Sequence, residues 1–179
     1  MDKARRALLE VGAILDEREL PFCLILGTCL GFVRDGGFIG HDTDIDLGMK
    51  VEDLRPAAGE LSAAFAKAGF EARVHTQPVR YPRAIVLRRD GIKLDLAGFI
   101  LNGDERYSPS TQKDHAVVYP ARFFEIWGSV GCLGRTWRTP YPVRDYLAYH
   151  YGPTWEVTDP RWNPGLGPAR RSQYREKVR

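Results

Sequence analysis

The sequence predicts a single α/β (α+β) domain in which helices flank a mostly mixed β-sheet. Three observations carry this prediction. The length of 179 residues fits one domain. Segments with helical periodicity alternate with apolar runs of strand length along the first half of the chain. A meander of strands with a clear hairpin signal then follows. Charged residues make up 27% of the chain and apolar residues 44%, which are globular proportions and argue against a disordered protein.

The N-terminal third predicts two helices and two strands. Apolar residues recur at helical spacing over residues 4–18, which indicates an amphipathic helix. Phe22–Leu26 has the length of a short buried strand, and a turn at Gly27-Thr28 is expected to lead into a short helix from about Cys29 to Arg34. Polar and apolar residues then alternate from Asp42 to Leu47, which is typical of a half-buried strand.

The middle of the chain predicts a longer helix and a meander of strands. Asp53 is a candidate N-cap for a helix that runs to about Ala68, and Gly69 follows its end. Asp90-Gly91 is a strong two-residue hairpin signal between two of the predicted strands. The three strands of this meander are expected at Phe70–Thr76, Arg83–Arg89 and Ile92–Phe99.

Beyond Phe99 the pattern is weaker. The polar segment Leu101–Lys113 is predicted to be a loop, and Pro142–Tyr151 is predicted to be a helix that ends at Gly152-Pro153. Prolines and glycines disfavour regular structure over residues 153–168. Two further short strands are expected at His115–Tyr119 and Phe123–Ile126.

Positive charge is concentrated at the C-terminal end of the chain. The net charge is +3, and Pro168–Arg179 alone contains five basic residues and one acidic residue. The rest of the chain is therefore close to neutral, so duplex nucleic acid is not an expected partner. We expect a domain over residues 1–167 and a basic tail over residues 168–179 that is solvated or touches an anionic surface.

Neither a membrane span nor a secretion signal is expected. No apolar run approaches the ~20 residues that a spanning helix needs. The charged N-terminus lacks the uninterrupted apolar core of a signal peptide. The sequence therefore predicts no transmembrane segment and a cytoplasmic location, peripheral to a membrane if the basic tail binds one.

Three aspartates near the end of the first third carry the strongest chemical signal. Asp42, Asp44 and Asp46 occupy alternate positions, so a strand would project all three carboxylates from one face. Like charges on one face repel each other unless a cation lies among them, and oxygen ligands suit Mg²⁺ or Mn²⁺. A calcium loop of the EF-hand type is excluded, because its sixth and twelfth positions would be Leu47 and Asp53 rather than glycine and glutamate.

Two further features are expected to belong to the same site. Gly27-Thr28 comes directly after a strand and before a helix, where backbone amides and a hydroxyl can bind phosphate. Asp95 lies within the apolar strand Ile92–Phe99, and strand pairing would add its carboxylate to the others as a metal ligand or as a base. His41 neighbours the carboxylates and is interpreted as structural.

These motifs also carry a resemblance to a known family. The order of a Gly-Thr turn, a helix, an aspartate pair on the next strand and a third aspartate on a later strand resembles the nucleotidyltransferase fold of DNA polymerase β. Within that superfamily, GTCLGFVRDGGFIGHDTDIDLG is similar to the signature of the LicD/fukutin family. The C-terminal stretch PYPVRDYLAYHYGPTW, Pro140–Trp155, resembles the end of the family pattern. The similarity extends from Phe22 to about Trp155.

The resemblance implies a metal-dependent phosphotransferase. Members of the LicD type transfer phosphocholine from CDP-choline to a glycan, and members of the fukutin type transfer ribitol 5-phosphate from CDP-ribitol. The expected partners are thus a nucleotide-activated donor, CDP-choline or a CDP-polyol, and a glycan or small hydroxylated acceptor. The expected cofactor is Mg²⁺ or Mn²⁺.

The resemblance also implies roles for individual residues. Asp44 and Asp46 would hold the metal, and Asp95 would complete the metal site or deprotonate the acceptor hydroxyl. All three are therefore candidate catalytic residues, and Asp42 is left open as a further ligand. The residues implied to bind the phosphates of the donor are Gly27, Thr28 and Arg34.

Two other functions stay open at this point. The same fold could transfer a nucleotidyl group from an NTP to a small molecule, in which case pyrophosphate rather than CMP would be released. The chain could instead be a degenerate, non-catalytic member that binds a ligand. Four retained aspartates argue against the second alternative, because clustered carboxylates are costly without a metal.

Overall fold

The computed structural model describes residues 2–40, 42, 44–76, 82–109, 115–159 and 171–173. Within these ranges four helices, one short 3-10 helix and ten strands are assigned. The helices are α1 (Asp2–Asp16), α2 (Leu26–Arg34), α3 (Val51–Lys67) and α4 (Val143–Tyr151), and the 3-10 helix is Ala121–Phe124. The strands are β1 (Phe22–Leu24), β2 (Asp44–Lys50), β3 (Glu71–His75), β4 (Ala84–Arg89), β5 (Ile92–Asn102), β6 (Glu105–Pro109), β7 (His115–Pro120), β8 (Trp127–Cys132), β9 (Arg135–Pro140) and β10 (Arg171–Gln173).

A mixed eight-stranded sheet forms the centre of the fold, as the sequence predicts. Its hydrogen-bonded path runs β1-β2-β5-β6-β7-β10, and β4 pairs with both β5 and β3. The pairing of β2 with β5 is parallel, whereas the other strand pairs are antiparallel. The long strand β5 therefore links the two halves of the sheet, and it brings chain positions about fifty residues apart into register with β2.

Helices α1 and α3 cover one face of the sheet and bury its apolar side chains. On β2 and β5 the buried residues alternate with the aspartates, so Ile45, Leu47, Leu94 and Leu96 all face away from the carboxylates. Leu54, Leu61 and Phe65 of α3 are also fully buried in this core. Because side chains of a strand alternate between its two faces, this packing leaves the aspartates on the opposite face.

Several predicted elements are confirmed with shifted ends. The hairpin at Asp90-Gly91 is present, and both residues have positive φ, 53° and 82°, as a type I′ turn requires. Helix α3 begins at Val51 after Lys50 rather than at an Asp53 cap, so Asp53 lies in its first turn. Helix α4 ends at Tyr151, and Gly152, whose φ is 96°, is its C-cap. Apart from these shifted ends, the structure contains the predicted helices, the strand meander and the mixed sheet.

Two predictions for the second half of the chain are wrong, and one hairpin was not predicted. Leu101–Lys113 is not a continuous loop, because β5 extends to Asn102 and β6 pairs with β5 and β7. Phe123–Ile126 is not a strand, because Phe123 and Phe124 belong to the 3-10 helix and are buried there. The antiparallel hairpin of β8 and β9 occupies a segment for which the sequence indicated no element.

The basic segment 168–179 contains the short strand β10. Arg171–Gln173 pairs antiparallel with Val117–His115 of β7. The other residues of this segment lie outside the part of the chain that the structure describes. The division into a domain over residues 1–167 and a tail thus stays a prediction, although three residues beyond its boundary extend the sheet.

Candidate active site

Parallel pairing of β2 and β5 brings three carboxylates together. Asp46 is the register partner of Asp95, and Asp44 is the partner of Lys93. One carboxylate oxygen from each of Asp44, Asp46 and Asp95 lies within 4.8 Å of the other two. The three side chains are partly buried, so they are neither fully solvated nor part of the core. A cluster of hard oxygen donors at this spacing fits a divalent cation such as Mg²⁺ or Mn²⁺.

The ammonium group of Lys93 contacts two of these carboxylates. Its Nζ atom lies 3.1 Å from Oδ2 of Asp44 and 2.6 Å from Oδ2 of Asp95. The Lys93 side chain is 31% exposed, so it is held within the cluster rather than extended into solvent. Sequence reasoning did not identify this residue. The basic residue two positions before Asp95 was a usable signal, because residues i and i+2 of a strand share a face.

The electrostatic environment of Asp46 favours its protonated form. Burial raises the pKa of the Asp46 carboxyl well above its ordinary value. The negative charges of Asp44, Asp95 and Asp42 raise this pKa further. The Lys93 ammonium acts in the opposite direction. A divalent cation would relieve this repulsion, because an opposite charge favours the ionised carboxylate.

Asp95 has one oxygen that is left for a ligand. Its Oδ2 accepts the hydrogen bond from Lys93, whereas its Oδ1 is buried and has no hydrogen-bond partner among the residues that the structure describes. Leaving a buried oxygen unsatisfied is costly unless something else binds it. This atom therefore supports binding of a cation or of an acceptor hydroxyl at Asp95.

Helix α2 begins earlier than the sequence predicts, and this changes the environment of Thr28. Ile25 is extended and Leu26 has a φ of 47°, so the chain turns directly from β1 into the helix. Thr28 is 1% exposed, and its hydroxyl accepts a hydrogen bond of 2.9 Å from the backbone N–H of Asp46. Gly27-Thr28 is therefore not a turn, and the Thr28 hydroxyl fixes the strand that carries the carboxylates.

Asp42 is not a member of the group formed by the other three aspartates. It precedes β2, so the prediction that Asp42 shares a strand with Asp44 and Asp46 is wrong. The segment after α2 folds back over the helix at Gly31, where an added Cβ would meet the Gly37 carbonyl oxygen at 2.5 Å. This path returns Asp42 to the start of α2. A Cβ on Gly27 would lie 2.1 Å from Oδ2 of Asp42, so only glycine permits this close approach.

Arg34 lies at the other end of α2. From Gly27 to Arg34 the helix rises by about 10 Å. The guanidinium binds both carboxylate oxygens of Asp35, each at 2.8 Å, and this pairing raises the pKa of Arg34 and lowers that of Asp35. The Arg34 guanidinium is therefore already ion-paired with Asp35. Its role in phosphate binding stays a prediction. His41 lies outside the described residues.

A cavity of about 210 Å³ opens on the same face of the sheet. Asp46 and Asp95 line it together with Arg83, Phe99 and Tyr119. Arg83 is only 4% exposed, and burial lowers the pKa of its guanidinium. A guanidinium that shares a cavity with two carboxylates is a suitable partner for the oxygens of a phosphate group. Sequence reasoning treated Arg83 only as the first residue of a strand and missed its position in this cavity.

Aromatic residues of α4 support the start of α2. The Tyr146 hydroxyl accepts a hydrogen bond of 3.1 Å from the backbone N–H of Leu26. Tyr146 is also hydrogen-bonded to Tyr119, whose hydroxyl lies 2.7 Å from Nδ1 of His150. Both tyrosines are fully buried. The C-terminal motif Pro140–Trp155 therefore contacts the candidate site through Tyr146, whose hydroxyl stabilises the positive-φ residue Leu26 at the start of α2.

The described residues contain no helix that is both long and apolar enough to cross a bilayer.

Comparison with known proteins identifies a matching family model. It is described as the LicD/FKTN/FKRP nucleotidyltransferase domain, and it matches residues 19–141. That range contains the candidate metal ligands, Arg83, and α2 with the phosphate-binding candidates.

Two curated relatives extend the similarity to most of the chain. The ribitol-5-phosphate transferase FKTN of Mus musculus is 28% identical over 167 residues, which is 90% of this chain and 35% of that protein. The protein of the same name from Homo sapiens is 26% identical over 167 residues, which again is 90% of this chain and 35% of that protein. The chain therefore spans about a third of the length of these relatives.

A solved structure supports the fold. The solution structure of the antibiotic-resistance factor ANT(2'')-Ia matches 91% of this chain and 78% of its own chain, with a TM-score of 0.53 and 19% sequence identity. This similarity concerns the arrangement of helices and strands. Together with the family match, this similarity confirms the predicted nucleotidyltransferase-like fold.

Proposed function

The chain belongs to the LicD/FKTN/FKRP nucleotidyltransferase-domain family, and from that membership we propose that it is a metal-dependent phosphotransferase. It would move a phospho-alcohol group, either phosphocholine or a polyol phosphate, from a CDP-linked donor to a hydroxyl of a glycan or small acceptor. One observation carries the proposal. Asp44, Asp46 and Asp95 come from two distant parts of the chain, and they offer oxygens within 4.8 Å of one another.

Asp44, Asp46 and Asp95 would hold a divalent metal ion in this site. When bound, such an ion neutralises the charge of the donor diphosphate and favours displacement at phosphorus. The unsatisfied Oδ1 of Asp95 supports its ligand role. Asp42 is not a member of this three-carboxylate group, and its place against Gly27 argues for a supporting rather than a coordinating role.

Asp95 would also take the proton of the acceptor hydroxyl. The hydroxyl oxygen forms a bond to the phosphorus of the phospho-alcohol group, and the bond between that phosphorus and the bridging oxygen of CMP breaks. CMP leaves with the bridging oxygen, and the hydroxyl proton passes to the carboxylate. Asp95 suits this step, because the residue lines the cavity and its Oδ1 is not used by Lys93.

The donor phosphates would bind between the start of α2 and the buried guanidinium of Arg83. Helix N-termini favour anions, and Gly27 lies in the first turn of α2. Arg83 supplies the positive charge on the cavity side. Thr28 would serve the donor indirectly by holding β2. Arg34 would bind a donor phosphate only after that phosphate replaces Asp35 as the partner of its guanidinium.

A screen of donors with a charge-matched control tests this proposal. CDP-choline, CDP-ribitol, CDP-glycerol and NTPs are incubated with the protein and an acceptor panel in Mn²⁺, in Mg²⁺ and in EDTA. We expect turnover of a CDP-alcohol that requires the metal and is lost in Asp44→Asn and Asp46→Asn. Asp90→Asn is the control, because it removes one carboxylate charge at the hairpin. Asparagine tolerates the positive φ of this residue. Wild-type turnover in Asp46→Asn would contradict the proposal.

A further inference from the structure

We propose that Lys93 is a built-in counterion of the metal site, and that its ammonium competes with the divalent metal for the carboxylates of Asp44 and Asp95. The inference rests on the proposed function, since it concerns the same site. It adds a residue that sets how tightly the metal is held. In the metal-free protein Lys93 would hold the cluster together, and metal binding would require the ammonium to leave it.

The contacts of Lys93 carry this inference. Its Nζ atom lies within hydrogen-bond distance of one oxygen from each of two candidate ligands, on neighbouring strands. These bonds are charge-assisted and use Oδ2 in both aspartates, so the ammonium lies between the two carboxylates. A second cation bound by the same carboxylates would meet the ammonium at short range in a partly buried site, where charge repulsion is only weakly screened.

The same geometry explains why the cluster is tolerated without a metal. Asp46 and Asp95 are register partners on parallel strands, and Asp44 is the partner of Lys93 itself. Three carboxylates at this spacing would repel strongly, and Lys93 offsets part of that repulsion from within the sheet. Removal of its charge should therefore weaken the metal-free protein and strengthen metal binding. A residue that merely positioned the ligands would give weaker metal binding when removed.

The released ammonium also needs a new partner, and the donor diphosphate supplies one. A negatively charged donor at the site would offset the ammonium and the metal together. Metal and donor are then expected to bind cooperatively in the wild-type protein, each raising the affinity for the other by the same factor. Without the Lys93 charge this coupling should shrink, because the metal no longer has to displace a cation.

The experiment measures Mn²⁺ binding by calorimetry, first without nucleotide and then with CDP as the diphosphate probe. We expect Lys93→Met to bind Mn²⁺ about tenfold or more tightly than the wild type, and to melt at a lower temperature in EDTA. Lys93→Arg, which retains the charge, should stay close to the wild type in Mn²⁺ affinity. Lys93→Gln provides the same test with a polar side chain if the methionine variant does not fold.

Arg88→Met is the matched control. Arg88 is the β4 partner of Lys93 in the sheet and is exposed, so this variant removes a nearby positive charge without removing a contact to the carboxylates. We expect its Mn²⁺ affinity to change far less than that of Lys93→Met. An equal gain in Mn²⁺ affinity in both variants would overturn the inference. Loss of any nearby positive charge, rather than loss of the Lys93 contacts, would then explain the gain.

The remaining outcomes also decide the question. Unchanged or weaker Mn²⁺ binding in Lys93→Met and Lys93→Gln would overturn the competition, and an unchanged CDP effect would overturn the coupling. Tighter Mn²⁺ binding without any transfer activity would support the role of Lys93 while the proposed function fails. Lack of Mn²⁺ binding in every variant would overturn both.

Discussion

Replacement of Thr28 by valine tests how helix α2 fixes the carboxylate strand. The Thr28 hydroxyl accepts the backbone N–H of Asp46 at 2.9 Å and is almost completely buried. Valine has nearly the same shape but no acceptor, so the Asp46 N–H would be left buried and unsatisfied. Such a loss costs about 1–3 kcal/mol of unfolding free energy. We also expect weaker Mn²⁺ binding, because the Asp46 carboxylate is carried by the same residue.

Serine at position 28 is the matched control. Thr28→Ser keeps the hydroxyl acceptor and removes one methyl group, which costs about 0.8 kcal/mol of burial. Urea unfolding in EDTA gives the stability of the two variants, and calorimetry gives their Mn²⁺ affinities. The valine variant should lose more stability than the serine variant, and it alone should lose metal affinity.

Two results would refute this reasoning. If Thr28→Val is as stable as the wild type, the hydrogen bond to Asp46 does not stabilise the fold. If Thr28→Val keeps its stability and Mn²⁺ affinity but loses donor affinity, Thr28 contacts the donor directly, as the family resemblance implies.

Three further predictions follow from the described contacts. Tyr146→Phe removes the acceptor of the Leu26 N–H and should lower the unfolding free energy by about 1–3 kcal/mol; a loss no larger than that of the exposed control Tyr141→Phe in urea unfolding would contradict this. The raised pKa of Asp46 means that the folded metal-free protein binds more protons than the unfolded chain, so its stability should fall as pH rises from about 4 through the folded-state pKa. Thermal melts in EDTA should show a smaller fall for Asp46→Asn, and an identical slope would argue against the shift. Arg83→Met should raise the KM for the donor more than Arg83→Lys, and equal effects in steady-state kinetics would remove the charge of Arg83 from donor binding.

Strand alternation and the family resemblance together predicted that Asp44, Asp46 and Asp95 lie close together, and the structure places one oxygen of each within 4.8 Å of the others. Asp44 and Asp46 alternate with apolar residues, and Asp95 interrupts another apolar strand, so period-two alternation places all three on the polar face of their strands. Pairing of the two strands then brings them together. What the alternation did not reveal was where β2 begins. Asp42 fits the same pattern, but it lies before the strand and packs against Gly27 instead.

Contacts that depend on long-range packing were not predictable in this way. The start of α2 is set by Leu26 in a positive-φ conformation, which its residue type does not signal, and by Tyr146 from 120 residues further along the chain. Lys93 was visible beside Asp95, yet its contact to Asp44 requires the exact register of β2 and β5. Arg83 has no local signal of burial at all.

Polar side chains caused the missed strand in the second half. The polar character of Leu101–Lys113 indicated a loop, but Arg106 within it is only 4% exposed and pairs with Glu52 at the start of α3 at 3.0 Å. Its side chain also donates to the Phe99 carbonyl oxygen. A buried, paired arginine within a strand looks like a solvent-exposed residue when only the sequence is read, because its partner lies far away in the chain.

The identity of the nucleotide product tests the central claim most directly. Phosphorus NMR of a reaction with a CDP-alcohol, an acceptor and Mn²⁺ follows the donor, the new phosphodiester and the released nucleotide in one sample. The account predicts that CMP appears in equal amount to the new phosphodiester, that both require the metal, and that neither forms with Asp46→Asn. Pyrophosphate release from an NTP with no CMP from any CDP-alcohol, or phosphodiester formation that persists in EDTA, would contradict it.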